Sequence, residues 1–186
     1  MNTQPSPDLK PKALLFAFLL QIGGLSSGAS ADSSHSADVF QSGDHNRVDL
    51  VQMGIENETM INQSGAYNGV DLVQEGEINL FESDQDGTAL QATVHQANGF
   101  NVAFLYQGGN DNFTDLDQSG MYNFAEVHQQ GIGNNVNQVQ QGDFNAALAL
   151  QYGDHNTINQ FQIGDFHTVM VTQYGNHNAI TVWQRY

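Results

Sequence analysis

Glutamine stands at Gln41, Gln52, Gln63, Gln74, Gln85, Gln96, Gln107, Gln118, Gln129, Gln140, Gln151, Gln162, Gln173 and Gln184, a spacing of eleven with no insertion or deletion. So strict a period decides the architecture before local propensity does, because each unit must be a copy of one small element stacked on its neighbours. Gly stands two residues after each Gln up to Gln173, except at Asn98, which Gly99 follows. Asn stands five residues after it, at Asn46, Asn57, Asn68, Asn79, Asn101, Asn112, Asn123, Asn134, Asn145, Asn156 and Asn178. Leu90 and His167 are the departures.

Eleven residues are close to three turns of an α-helix, so a right-handed coiled coil is the first alternative. The apolar positions reject it. They fall seven and nine after Gln (Val48 and Leu50, Val70 and Leu72, Ala125 and Val127, Val169 and Val171), and at about 100° per residue such pairs point to opposite sides of a helix. On a strand, positions five, seven, nine and eleven share one face. The inward face is then Asn, a small or β-branched residue, an aliphatic one, and Gln. The four residues between Gln and Asn, such as Ser42–His45 or Ser119–Tyr122, are the expected turn, with Gly giving the backbone its freedom.

The predicted fold is all-β: a two-sheet parallel β-solenoid of cross-β type, with 22 residues per rung built from two 11-residue strand–turn units. Fourteen strands make about seven rungs. Val39, Leu50, Ile61, Leu72, Val94, Leu105, Leu116, Val127, Val171 and Val182, with the position-seven residues, are the expected core. Rungs about 4.8 Å apart set Gln over Gln and Asn over Asn, where amides hydrogen-bond in ladders.

Residues 1–31 read as a secretory signal peptide: Lys10 and Lys12 precede the apolar run Ala13–Leu25, and small residues lead to cleavage after Ala31. The run is short for a bilayer span and no later segment is apolar enough, so a secreted product, not a transmembrane one, is expected from residues 32–186. Processing leaves Arg47 and Arg185 against nineteen acidic residues, a net charge of about −17. Such a surface repels phosphate backbones and excludes nucleic acid as a partner. There is no Cys to staple the fold, and all three prolines precede residue 12.

The pattern Gln-x-Gly-x-x-Asn-x-Ala-x-x-x-Gln, nearly intact over residues 118–129, 140–151 and 173–184, resembles the repeat of curlins, the subunits of curli, the extracellular functional amyloid of bacteria. The likeness covers residues 35–184. It implies a fibre subunit at the cell surface, serving adhesion and biofilm matrix as part of a curli-type pilus or fimbrium. Its implied partners are further copies of itself, other curlin subunits and the outer-membrane curli secretion machinery. The chain departs from the family in having more rungs, and in using Asn where curlins alternate Ser and Asn. The uniform Asn is closer to the nucleating minor subunit than to the major one.

Expected self-association rests on the terminal strands, in which no cap, proline or inward charge is visible. Gln41, Gln52, Gln173 and Gln184 are the expected docking residues there. The rival reading is a monomeric secreted solenoid that binds ice or a carbohydrate, but its outward column, Asp49, Asp71, Thr93, Asp115, Asn137, Asn159 and Thr181, is not the regular Thr array ice recognition wants. An enzyme is not expected, nor a cofactor or metal site. The seven histidines show no fixed ligand spacing, and Gly-Asp-His-Asn at 43–46 and 153–156 reads as solvated turn. Asp49 and Asp71, one rung apart, are expected to repel when ionised. On the opposite face Phe104, Tyr106, Phe124, Leu148 and Leu150, with Val102 and Met170, form a candidate lateral contact.

Overall fold

The computed structural model describes residues 34–186. The leader expected over residues 1–31 and its cleavage after Ala31 lie outside the described residues. Fourteen strands follow one another: β1 (Ser36–Asp44), β2 (Arg47–Ile55), β3 (Glu58–Ala66), β4 (Gly69–Glu77), β5 (Leu80–Thr88), β6 (Gln91–Gly99), β7 (Val102–Asn110), β8 (Phe113–Met121), β9 (Phe124–Ile132), β10 (Asn135–Gln141), β11 (Ala146–Tyr152), β12 (Thr157–Ile163), β13 (Thr168–Tyr174) and β14 (Ala179–Arg185). The seven odd strands form one parallel sheet and the seven even strands the other, each in sequence order. Each strand pairs with the one 22 residues on, in register throughout, Gln41 with Gln63 and Gln52 with Gln74. The expected solenoid of seven rungs is the fold observed.

Between the sheets the inward residues alternate with outward ones as the period of two requires. Val48, Leu50, Ile61, Val70, Leu72, Phe81, Val94, Leu105, Leu116, Val127 and Ile158 are buried. Val39 and Val182, on the terminal rungs, are only partly covered. The aliphatic column at position nine is broken by Ser83 and, more sharply, by Gln138 and Gln160, all fully buried.

The turns differ from the expected four residues in the first nine strands. There the parallel ladder runs on through Gly, pairing Gly43 with Gly65 and Asp44 with Ala66, and the bend is confined to position four and the Asn. Gly makes this continuation possible: at φ of +104 in Gly109, an added Cβ would overlap the carbonyl oxygen of Gly131 in the next rung. From β10 onward the strands stop one residue past Gln, so the turn takes the expected length. In these rungs a side chain at position three takes a backbone donor. The carboxyl or amide Oδ1 of Asp143, Asp154, Asp165 and Asn176 accepts the backbone N–H of Met121, Ile132, Asp143 and Asp154, which withdraws those donors from the backbone ladder.

Candidate functional site

A primary amide carries donor and acceptor on one head, so identical amides at rung spacing satisfy one another. Both glutamine columns do this in one direction. Each Nε2 donates to the Oε1 of the Gln one rung on, from Gln41 to Gln63 and so to Gln173 in the odd sheet, and from Gln52 to Gln74 and so to Gln184 in the even sheet, at 2.6–3.0 Å. The same nitrogen also donates across the rung, as Gln63 does to the Arg47 carbonyl at 3.1 Å and Gln140 to the Phe124 carbonyl at 2.9 Å. From Gln52 onward every Gln of the two columns thus fastens rung to rung and sheet to sheet.

The Asn residues act differently. Their Oδ1 accepts the backbone N–H of the position-five residue one rung on, as Asn46 does from Asn68 and Asn156 from Asn178, at 3.1 and 3.0 Å. Their Nδ2 closes the arc by donating four residues back and to the carbonyl at position two of the next rung, as Asn57 does to Met53 and Gly76. Asn79, Asn101, Asn123, Asn145 and Asn156 bond likewise, side chain and backbone, to the Asn one rung before. Asn134 donates its N–H to Asn112. At Leu90 the column changes chemistry: its N–H still reaches Asn68 Oδ1 at 3.1 Å, but a buried aliphatic side chain has no acceptor to offer Asn112.

Position four, unremarked in the sequence, is where the arcs are strained. His45, Glu56, Tyr67, Ile78, Ala89, Phe100, Asp111, Tyr122, Phe144, His155, Phe166 and His177 all have φ between 54° and 60°, a left-handed conformation uncommon outside Gly and Asn. Read every 22 residues, this position separates two arcs. One carries a stack of exposed rings, Phe100, Tyr122, Phe144 and Phe166, with successive centroids 4.8–5.1 Å apart. The signal was present at the doubled period and is invisible at eleven.

Phe104, Tyr106, Phe124, Leu148 and Leu150 do point outward from the odd sheet, four half-buried and Phe124 exposed. The register places carboxylates among them: Phe104 lies between Glu82 and Glu126, and Tyr106 between Asp84 and His128. Burial lowers the His128 pKa from its ordinary value, with the neighbouring Glu126 charge opposing. The even sheet has an outward column that is apolar at its two ends, in Val51 and Val73 and in Val139, Phe161 and Trp183, with His95 and Asp117 paired between them, so the two faces contrast less than expected. The expected repulsion of Asp49 and Asp71 is also corrected, because the Arg47 guanidinium pairs with both carboxylates. In the same column burial, then the Asp117 charge, raises the Asp115 pKa.

Residues 109–137, from the end of β7 into β10, match the family model of the curlin associated repeat. This stretch is similar to the curlin repeat. The matched stretch holds the Gln118 and Gln129 links, the Asn112 and Asn123 arcs, and Gly109, Gly120 and Gly131. The parallel register and the Gln links continue through the other rungs, consistent with a curlin family member. Neither the curated proteins nor the solved structures gave a significant match. Among the described residues no helix is long and apolar enough to cross a membrane.

Proposed function

We propose that this chain is a self-assembling structural subunit of an extracellular curli-type fibre, growing by end-to-end β-stacking of solenoids, and that it is not an enzyme. The observation that carries the reading is the complementarity of the two terminal rungs. At the first rung, Gln41 Oε1, Gln52 Oε1 and the Asn46 N–H have no partner among the described residues. At the last rung, Gln173 and Gln184 each retain one amide N–H not used along the stack, and Asn178 Oδ1 accepts nothing there. Head-to-tail stacking matches every one of these groups, whereas like ends would set Gln acceptor against acceptor or donor against donor. The backbone ladders of β13 and β14 continue onto β1 and β2 of the next copy in the same step.

Curlin likeness supports export after removal of residues 1–31, a cell-surface location, adhesion and biofilm as the service, and the curli secretion machinery and other curlins as partners. Near-uniform Asn in the arcs favours a nucleating subunit. The odd-sheet patch around Phe104, Tyr106, Phe124, Leu148 and Leu150 is its surface for lateral contact.

Incubation of the purified chain, followed by a cross-β dye and electron microscopy, tests the assembly claim. Unbranched fibres with about 4.8 Å meridional spacing are expected, and trace seeding of another curlin is expected from a nucleator. A chain that stays a soluble β-rich monomer for days would refute it in favour of a solenoid binding ice or carbohydrate.

A further inference from the structure

Gly-Asp-His-Asn at 43–46 and 153–156 and Gly-Asn-His-Asn at 175–178 lie far apart in sequence. The fold sets all three in one column, on the arcs that lead from β1 to β2, from β11 to β12 and from β13 to β14. These are the first, sixth and seventh rungs. Rungs two to five carry Tyr67, Ala89, Asp111 and Gly133 at the histidine position. His155 and His177 stack with ring centroids 5.1 Å apart and planes 11° from parallel, and all three histidines are exposed.

Among the described residues of one chain, no three metal-ligating side chains converge. Stacking changes that. In the head-to-tail arrangement proposed above, on which this inference rests, the next copy's first rung follows the seventh at one rung spacing, so its His45 comes directly after His177. We propose that each junction between stacked copies forms a divalent transition-metal site from His155 and His177 of one copy and His45 of the next, absent from the isolated chain.

Imidazole nitrogen suits zinc, copper and nickel, with metal–nitrogen distances of about 2.0–2.1 Å. Two ligand nitrogens on one tetrahedral ion stand about 3.4 Å apart; His177 lies one rung from each of the others, and the outer two exposed rings close the gap by tilting toward it. Asp44 of the next copy sits beside them. By the pattern of Asp154 and Asn176, its Oδ1 accepts the Asn176 N–H, which leaves Oδ2 facing solvent near the ion. The acidic surface raises the local cation concentration. A left-handed backbone tolerates histidine, but that applies at every rung of the column. It does not account for histidine confined to the first rung and the last two.

The test titrates Zn²⁺ at neutral pH into fibres of the full chain grown without metal, and into the chain kept monomeric by dilution. Bound zinc is measured after pelleting or filtration. Fibres are expected to bind at least tenfold more tightly than monomer, and His45→Asn or His177→Asn should each abolish that difference while His95→Asn keeps it. Asn is chosen because it accepts the left-handed backbone. A copolymer of the two single variants in equal parts should recover tight sites at about one junction in four, because a head-to-tail junction draws one half from each copy. Fibres that bind no tighter than monomer, or whose binding survives both substitutions, overturn the metal site and leave the stacking intact. Failure to form fibres overturns the stacking and the site together.

Discussion

Gln138 tests how far amides are tolerated away from their ladders. It is fully buried in the column Leu116, Gln138, Gln160, Val182, and neither its Nε2 nor its Oε1 has a partner. Gln160 fares only slightly better, with Nε2 donating to the Leu148 carbonyl at 2.9 Å and Oε1 unpaired. Gln138→Leu nearly conserves volume, so it is expected to repack without overcrowding. An unsatisfied buried polar group costs about 1–3 kcal/mol, and the leucine adds apolar burial against Leu116, so the variant should be more stable by about 2–4 kcal/mol. At a guanidinium slope of about 4 kcal/mol/M, that moves the unfolding midpoint up by roughly 0.5–1 M. Circular dichroism in guanidinium of monomer, or the dissolution midpoint of fibres, reads the shift. An unchanged or lower midpoint would mean that the Gln138 amide is bonded, and the reasoning from unpaired core amides would fail.

Replacement of Gln41 or Gln184 by Ala should lengthen the assembly lag, read by dye fluorescence, more than it lowers monomer stability, whereas Gln107→Ala should destabilise by about 3 kcal/mol because it strands buried partners in two rungs. Gly109→Ala should prevent the solenoid from forming, read by circular dichroism, because its Cβ overlaps the Gly131 carbonyl oxygen, while Gly69→Ala meets only the movable Gln91 side chain and folds. Asp115 has a raised folded-state pKa, so its contribution is lost as pH climbs through that value; Asp115→Asn should raise the denaturation midpoint at about pH 7 and leave it unchanged at about pH 3.

The period, the inward face and the two ladders were legible because each is written in residue type at fixed spacing: a Gln every eleven residues has one geometry that satisfies all its copies. What the sequence hid depends on which residues become neighbours at twenty-two. Arg47 neutralises Asp49 and Asp71 because it starts the strand whose third residue is Asp49. The aromatic stack from Phe100 to Phe166 appears only when alternate arcs are separated. The ladder carried past Gly65 but cut short at Asp143 goes with a position-three side chain that accepts the backbone N–H one rung before, as Asp143 does and Asn110 does not, a choice between competing hydrogen bonds that spacing does not display. Gln138 and Gln160 break the aliphatic rule, Gln138 with no partner and Gln160 with the Leu148 carbonyl alone.

The arcs also set how the chain must fold. A left-handed backbone at a residue with a side chain is unfavourable by about 1–2 kcal/mol, and a rung built from two strands and two such corners has almost nothing within itself to offset that, since nearly all its bonds reach to the layer above or below. A solitary layer is therefore a high-energy object, and each later layer, laid on one already formed, is cheap. The solenoid is a one-dimensional cooperative system with a costly first step, akin to a helix–coil transition in which the unit is a rung instead of a residue. Such a system passes from open chain to long stack with few intermediates. Any surface that already displays one finished layer removes the slow step.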